Sequence, residues 1–431
     1  MTACIITFSL TCVAMIACVL TGAEIKIKNF RLPLYFTVTL LGAIIMLVSG
    51  MLPVSFALES LLSDSSVNPL KILVLFLSMT VLSIFLDETG FFSYLADVAL
   101  KKSGKSQIKL FIILYVVVSL LTSFTSNDIV ILTFTPFICY FCRRANVNPL
   151  PYLIEEFVAA NTFSMLLVIG NPTNIYLALS QELTFFGYLA IMWLPTLLAG
   201  MVAFFVMLAL FYKQLKLPLE RTSDKSVPID KPLAVIGGIH LVACTLLLSV
   251  SDFFSLPMWG ISLAFALSLF ITVTAYKLVK REPFLELSST LKRAPWGFIP
   301  FLLSMFLLVC ALEYNGVTKI LAGLLSNELP ILTYGAISTL FCSFVNNIPM
   351  SVLFASVLSF SSLQRAAVFA CIIGSNLGAF LTPVGALAGI MFSNIVKTQN
   401  VKLSFARFTL YGTVIALPTL AFALLGLYII L

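Results

Sequence analysis

The sequence predicts an all-α polytopic membrane protein, an inverted repeat of 5+5 transmembrane helices with two re-entrant hairpins and two broken helices, on three observations. First, 60% of the residues are hydrophobic and only 10% are charged, whereas soluble domains carry about 25% charged residues. Second, a polar phrase inside an apolar run occurs twice: Ser123-Phe124-Thr125-Ser126-Asn127-Asp128-Ile129 returns as Ser343-Phe344-Val345-Asn346-Asn347-Ile348 with one residue deleted. Third, the basic residues fall almost entirely on one side of the topology those segments imply.

Apolar segments near 3–21, 33–52 and 70–86 read as the first three spans, each near the roughly 20 residues that a crossing helix needs. No basic run precedes the first, so it reads as a retained helix rather than a cleaved signal. The stretch 107–142 carries the polar phrase at its middle, which predicts a hairpin with its tip at Asn127. Residues 151–180 predict a helix broken at Gly170-Asn171-Pro172-Thr173-Asn174, and 184–212 completes a first repeat over 1–212. The basic, Pro-containing stretch 213–231 is the linker.

The second repeat, 232–431, has spans at 232–250, 257–276, 296–313 and 404–430, a hairpin at 330–360 and a broken helix at 366–396. Five spans are an odd number, so the second repeat enters from the opposite face. Leu86-Asp87-Glu88-Thr89-Gly90 echoes Leu312-Glu313-Tyr314-Asn315-Gly316, and Phe157-Val158-Ala159-Ala160 echoes Val368-Phe369-Ala370. The break after Gly170 is paired on this reading with Gly374-Ser375-Asn376-Leu377-Gly378 and Thr382-Pro383-Val384-Gly385.

With both termini outside and each hairpin returning to its own side, every Lys and Arg except Lys71, Lys319 and Arg365 faces the cytoplasm. That is the positive-inside pattern, and a full crossing by either hairpin spoils it. The net charge of +7 therefore reports topology. It predicts a multi-pass protein of a plasma or inner membrane, with the lipid bilayer as partner and no nucleic acid. The 9 Cys sit mostly in apolar segments, none with metal-ligand spacing to the single His, His240, so neither a disulfide framework nor a metal centre is expected. With no Ser-His-Asp arrangement and no ATP-binding Gly-rich loop, the chain is not expected to be an enzyme or an ATP-driven pump, and no catalytic residue is assigned.

Gly, Pro, Asn and Thr clustered inside hydrophobic runs free backbone groups that cannot face lipid and must line a protein-enclosed cavity. Such breaks in corresponding places of two halves point to a midplane binding site for a small solute or ion. Half-helix N-termini suit an oxyanion, whereas Asn, Thr and carbonyl oxygens suit a small hard cation. We assign Ser126, Asn127, Asn171, Thr173 and Asn174 to a first half-site, and Asn346, Asn347, Ser375, Asn376 and Thr382 to a second, with sodium as the one ion expected, at the Asn127 and Asn346 tips. Asp128, the only carboxylate in any tip or break, is a candidate proton carrier or sodium ligand; as an alternative it caps the half-helix that starts there. Glu155 and Glu156 read as first-turn acids of a span, Asp87, Glu88 and Glu313 as interfacial, and His240 as a packing residue.

Thr125-Ser126-Asn127-Asp128 followed by Thr133-Phe134-Thr135-Pro136 resembles the first hairpin tip of the ion transporter superfamily that holds arsenite/antimonite permeases, certain sodium/proton antiporters and divalent-anion or citrate symporters. Ala160-Asn161-Thr162 through Asn174 resembles its first broken helix. Gly374 to Gly378 with Thr382-Pro383-Val384-Gly385-Ala386-Leu387-Ala388 resembles the second. The resemblance implies paired re-entrant hairpins, frequent homodimers, and alternating access by elevator or rocking motion. It leads to the expectation of a secondary active transporter for a small anion or oxyacid coupled to sodium or protons, with a sodium/proton antiporter as the alternative.

Overall fold

The computed structural model describes residues 1–21, 24–27, 30–63, 68–181, 183–219, 229–326, 328–360 and 364–431. Residues 220–228, within the expected linker 213–231, lie outside the described residues, as do Lys28, Arg221 and Lys225 from the basic set. The first half contains α1 (Thr2–Thr21), a ribbon of β1 (Glu24–Ile27) and β2 (Phe30–Pro33), α2 (Leu34–Val48), α3 (Val54–Leu62), α4 (Pro69–Glu88) and α5 (Phe91–Ser103). It continues through α6 (Gln107–Phe124), α7 (Asn127–Arg144), α8 (Leu150–Phe163), α9 (Pro172–Leu179) and α10 (Phe185–Leu215).

The second half follows the same order: α11 (Lys231–Ser249), α12 (Met258–Lys280), α13 (Leu285–Arg293), α14 (Phe298–Tyr314) and α15 (Val317–Leu325). Next come α16 (Pro330–Val345), α17 (Asn347–Ser359), α18 (Gln364–Leu377), α19 (Leu387–Thr398) and α20 (Phe405–Ile430). Sequence echoes become local geometry. Gly90 and Gly316 start α5 and α15 with φ of +82° and +76°, a left-handed turn that glycine adopts without steric cost. Among the described residues, seven helical segments are long and apolar enough to cross a membrane; six coincide with expected spans and the seventh is α6 of the expected hairpin.

Burial separates an outer shell from a core. Val235, Ile239, Val242 and Leu246 of α11 and Leu410 and Leu417 of α20 are exposed, forming apolar stripes suited to lipid. By contrast α8 is buried continuously from Pro151 to Thr162. The halves interlock: α7 packs on α19, α9 on α17, α4 on α12, α2 on α14, and α10 on α20. Close approach requires small residues; a Cβ on Gly374 of α18 would lie 2.8 Å from the Thr339 backbone N of α16 and closer still to the Ser338 hydroxyl.

Contacts between element ends sort into two faces. On one, Arg293 bonds Asp87 at 2.7 Å and also Glu88, Asp230 N donates to Thr89 O at 2.9 Å, and Leu219 N to Lys105 O at 2.9 Å. The same face holds the bonds from Asn148 to Gln214 (2.8 Å) and from Arg143 to the Gln399 carbonyl (2.8 Å). On the other, Asn315 donates to Met51 O at 2.8 Å, and the rings of Phe56 and Tyr314 are 5.3 Å apart. Both ends of the α6–α7 pair thus meet the C-terminal end of α10, through Lys105 and Asn148. That pair is a hairpin returning to the side it left.

Candidate functional site

At the first hairpin tip, Thr125 and Ser126 are extended and Ser126 occupies the N-cap of α7 without a side-chain cap bond. Asp128 is therefore a first-turn acid and not the cap. The Asn127 amide donates to Asn161 Oδ1 on α8 at 3.0 Å, and its oxygen accepts the Asp128 N–H at 2.9 Å. Asp128 is half-buried, lies within electrostatic reach of Tyr35 on α2, and its carboxylate makes no hydrogen bond among the described residues.

The second tip has one linking residue where the first has two, so Asn346 reverses the chain alone. Its φ of +86° and ψ of 150° fall in a region essentially reserved for glycine, and such outliers cluster at functional sites. Three bonds hold it there: Asn346 N to Cys342 O at 3.0 Å, Nδ2 to Val384 O at 2.8 Å, and Ile348 N to Oδ1 at 3.3 Å. Asn347 N donates to Gly385 O at 2.9 Å, Cys342 Sγ to the same oxygen at 3.1 Å, and Thr382 Oγ1 to Ser343 O at 2.6 Å. The carbonyls freed by the second break thus receive the second tip.

The remaining assigned residues form a third group that joins the halves. Asn376 donates to Asn174 Oδ1 at 2.7 Å and accepts from Asn171 at 3.0 Å and Ser164 at 2.9 Å. Thr173 and Ser375 hydroxyls are 3.2 Å apart. Asn171, Thr173 and Asn174 therefore bond across to the other half and not directly to Asn127, which the network reaches through Asn161 and Ser164, just as Ser375 reaches Asn346 only through Cys342. Helix ends explain the regrouping: α8 stops at Phe163 and α18 at Leu377, so Asn161-Thr162 matches Ser375-Asn376 in place and Gly170-Asn171 matches Gly385-Ala386.

Asn161 and Ser164 are site residues absent from the sequence assignment. The signal was present, since each is a polar residue in the apolar run leading to the first break. Glu155 and Glu156 are not first-turn acids, because α8 begins at Leu150 and no acid stands in its first turn; they lie one turn deeper and are buried. His240 sits apart on α11 and bonds Ile236 O and Ser268.

Three buried side-chain oxygens near the tips have no hydrogen-bond partner: Ser126 Oγ, Thr162 Oγ1 and Asn347 Oδ1. Since buried polar atoms are nearly always satisfied, they are ready acceptors for an ion or solute. A cavity of about 910 Å³ runs beside the second break, lined by Pro383, Val384, Ser393, Asn394, Lys397 and Arg407 among others. It shares Asn400, Val401, Lys402 and Arg407 with a neighbouring cavity of about 580 Å³ that adds Arg143. No acidic side chain lines either among the described residues.

Several known proteins are similar to this chain. The arsenical pump membrane protein of Escherichia coli is 26% identical over 370 residues, covering 82% of this chain and 84% of that protein. A 46 kDa membrane protein of Mycobacterium leprae is 28% identical over 378 residues, covering 83% and 85%. Among solved structures, the Alcanivorax borkumensis YdaH transporter superposes with a TM-score of 0.60 at 14% identity, over 99% of this chain and 97% of that one. Neisseria gonorrhoeae MtrF gives 0.52 at 14%, over 98% and 94%; at such identity the likeness concerns the fold. Residues 26–362, which include both tips and the first broken helix, match the sequence profile of the CitMHS family, described as Citrate transporter, and with that match the chain belongs to this family of membrane transporters.

Proposed function

We propose that the protein is a secondary active transporter that moves a small anion or oxyacid down a path ending at the two hairpin tips, driven by a sodium or proton gradient. The observation that carries this reading is the large cavity: Lys397, Lys402 and Arg407 line it, no acid opposes them among the described residues, and it reaches Val384, whose carbonyl holds the Asn346 amide. A concave surface of one charge sign raises the local concentration of the opposite ion. The relatives named as arsenical pumps and the citrate family profile agree with an anionic or oxyacid substrate.

The basic face is assigned to the cytoplasm by the positive-inside rule, which puts both termini outside and makes the two halves inverted repeats. Because the Asn376 network and the packing of α7 on α19 and α9 on α17 tie the halves together, the hairpins and broken helices move as one body during alternating access. Sodium is the ion the tips suit, through Ser126 Oγ and Asn347 Oδ1. The second reading, a sodium/proton antiporter, is favoured by Asp128, a half-buried and unpaired carboxylate beside the first tip.

Purified protein in sealed liposomes separates these readings. Imposing a sodium gradient, then a proton gradient, is expected to drive accumulation of one member of a panel of citrate, succinate, sulfate, phosphate and arsenite, which a channel cannot produce. Sodium-dependent pH change without anion movement establishes the antiporter instead, and neither effect overturns both readings. Asn127→Ala and Asn346→Ala are each expected to abolish transport while the protein still folds; wild-type rates in either variant sink the tip assignment. Asp128→Asn is expected to remove the pH dependence of transport if this carboxylate carries the coupling proton, and an unchanged pH profile reduces it to a sodium ligand or helix-dipole partner.

A further inference from the structure

Glu155 and Glu156 on α8 are 0% and 1% exposed, and neither forms an ion pair among the described residues. Glu156 accepts the Thr135 hydroxyl at 3.0 and 3.1 Å. Both oxygens of Glu155 lack any partner. Tyr115 of α6, Tyr152 and Glu156 lie within electrostatic reach of Glu155; Cys139 of α7 lies within reach of Glu156 and of Arg143. The two tyrosine protons are used elsewhere, Tyr115 donating to Gly200 O at 2.6 Å and Tyr152 to Gln107 Oε1 at 3.0 Å. An ionised carboxylate buried without donor or counterion is far more costly than a neutral one, and two adjacent carboxylates do not both stay charged in such a place.

The surroundings extend this pair in both directions. Cys139 lines the cavity of about 580 Å³ that opens on the basic face beside Arg143. Toward the tip, the hydroxyls of Ser119, Thr122, Ser126 and Thr162 are buried and unpartnered. Ser119 and Thr122 stand three residues apart on α6, and Thr162 stands seven residues after Glu155 on α8, so each helix carries its pair on one stripe, and Ser126 lies just past the end of α6 as the N-cap of α7. Helices α6 and α8 pack against each other. Buried hydroxyls without a protein partner are the polar groups that bridging water needs.

We propose that Glu155 holds a proton, loaded from the basic-face cavity past Cys139 and Glu156, and passes it along the Ser119, Thr122 and Thr162 row to the tip at Ser126 and Asp128. Only O–H bonds change: Glu155 gives its proton to the row and is reprotonated from the Glu156 side. No group of three or more His, Cys, Asp or Glu side chains placed to hold a metal ion occurs among the described residues. The role in coupling rests on the transport reading, but the proton is measured without transport, so one can fail without the other.

The experiment is infrared spectroscopy of the purified protein in lipid, with Glu carboxyls isotopically labelled to separate them from Asp128. A carboxylic-acid C=O band from Glu is expected at neutral pH, shifting in heavy water, lost in Glu155→Gln and kept in Glu156→Gln. Absence of a Glu-derived acid band in the wild type overturns the proposal, as does its persistence in Glu155→Gln or its loss when sodium chloride replaces choline chloride. The wild-type arms keep the test decisive if the variant does not fold. Thr122→Val with Thr162→Val is expected to slow the heavy-water shift of that band, and an unchanged rate overturns the route.

Discussion

Asn346 bears the mechanical cost of a one-residue tip. A non-glycine residue in its backbone region costs about 1–3 kcal/mol, and the side chain offsets part of that through Val384 O and Ile348 N, at about 1 kcal/mol per bond. Asn346→Gly removes the strain with the bonds and is expected to leave the thermal midpoint near wild type; Asn346→Ala keeps the strain, loses the bonds and lowers it. Thermal unfolding in detergent checks this, and equal midpoints for the two variants mean the tip is unstrained. The repeated phrase made Asn127 and Asn346 legible in the sequence. Their pairing was not, because Asn161 and the Val384 carbonyl are brought to the tips by chain reversals that local pattern does not encode.

At the scale of elements, hydropathy by itself does not separate a hairpin from two spans. Helix α6, with 18 residues, is about 27 Å long at 1.5 Å per residue, nearly a full crossing. What decides is that both outer ends of α6–α7 contact the end of α10, near Gln214 and Leu219. Charge bias in the sequence reached the same answer by an independent route. The second broken helix depends on close packing of α18 on α16 at Gly374. Gly374→Val overpacks this contact and is expected to destabilise the protein by about 1–3 kcal/mol, read as a lower unfolding temperature. An unchanged temperature means that the two helices part without cost. Short helices α3 and α13, each of 9 residues, were not legible because each falls below the length at which a spanning pattern is recognised.

For the whole molecule, sidedness is testable at the cavity of about 910 Å³ that Val384 and Ser393 help to line, which the proposed topology opens to the cytoplasm. In a cysteine-free background, Ser393→Cys is expected to react with a membrane-impermeant maleimide in inside-out vesicles, and Ser359→Cys, which lines a pocket with Glu313 and Ser356, in right-side-out vesicles. The reverse pattern overturns the assignment of the basic face to the cytoplasm. The interlocking of the halves sets a further constraint, because Asn376 bonds to Ser164, Asn171 and Asn174 and these buried bonds break if the halves separate.

By itself the sequence determined the membrane environment, the all-helical class and the two polar phrases that become the hairpin tips, because composition, spacing and hydropathy are properties of local stretches. Only the tertiary structure decided that Asn171, Thr173 and Asn174 bond directly to Ser375 and Asn376 of the other half, that Glu155 and Glu156 are buried beyond the first turn, and that a basic cavity leads to the second break. These depend on which helices pack together. Burial and hydrogen-bond pairing are set by chain segments more than two hundred residues apart, as in the bond from Asn171 to Asn376 with a separation of 205.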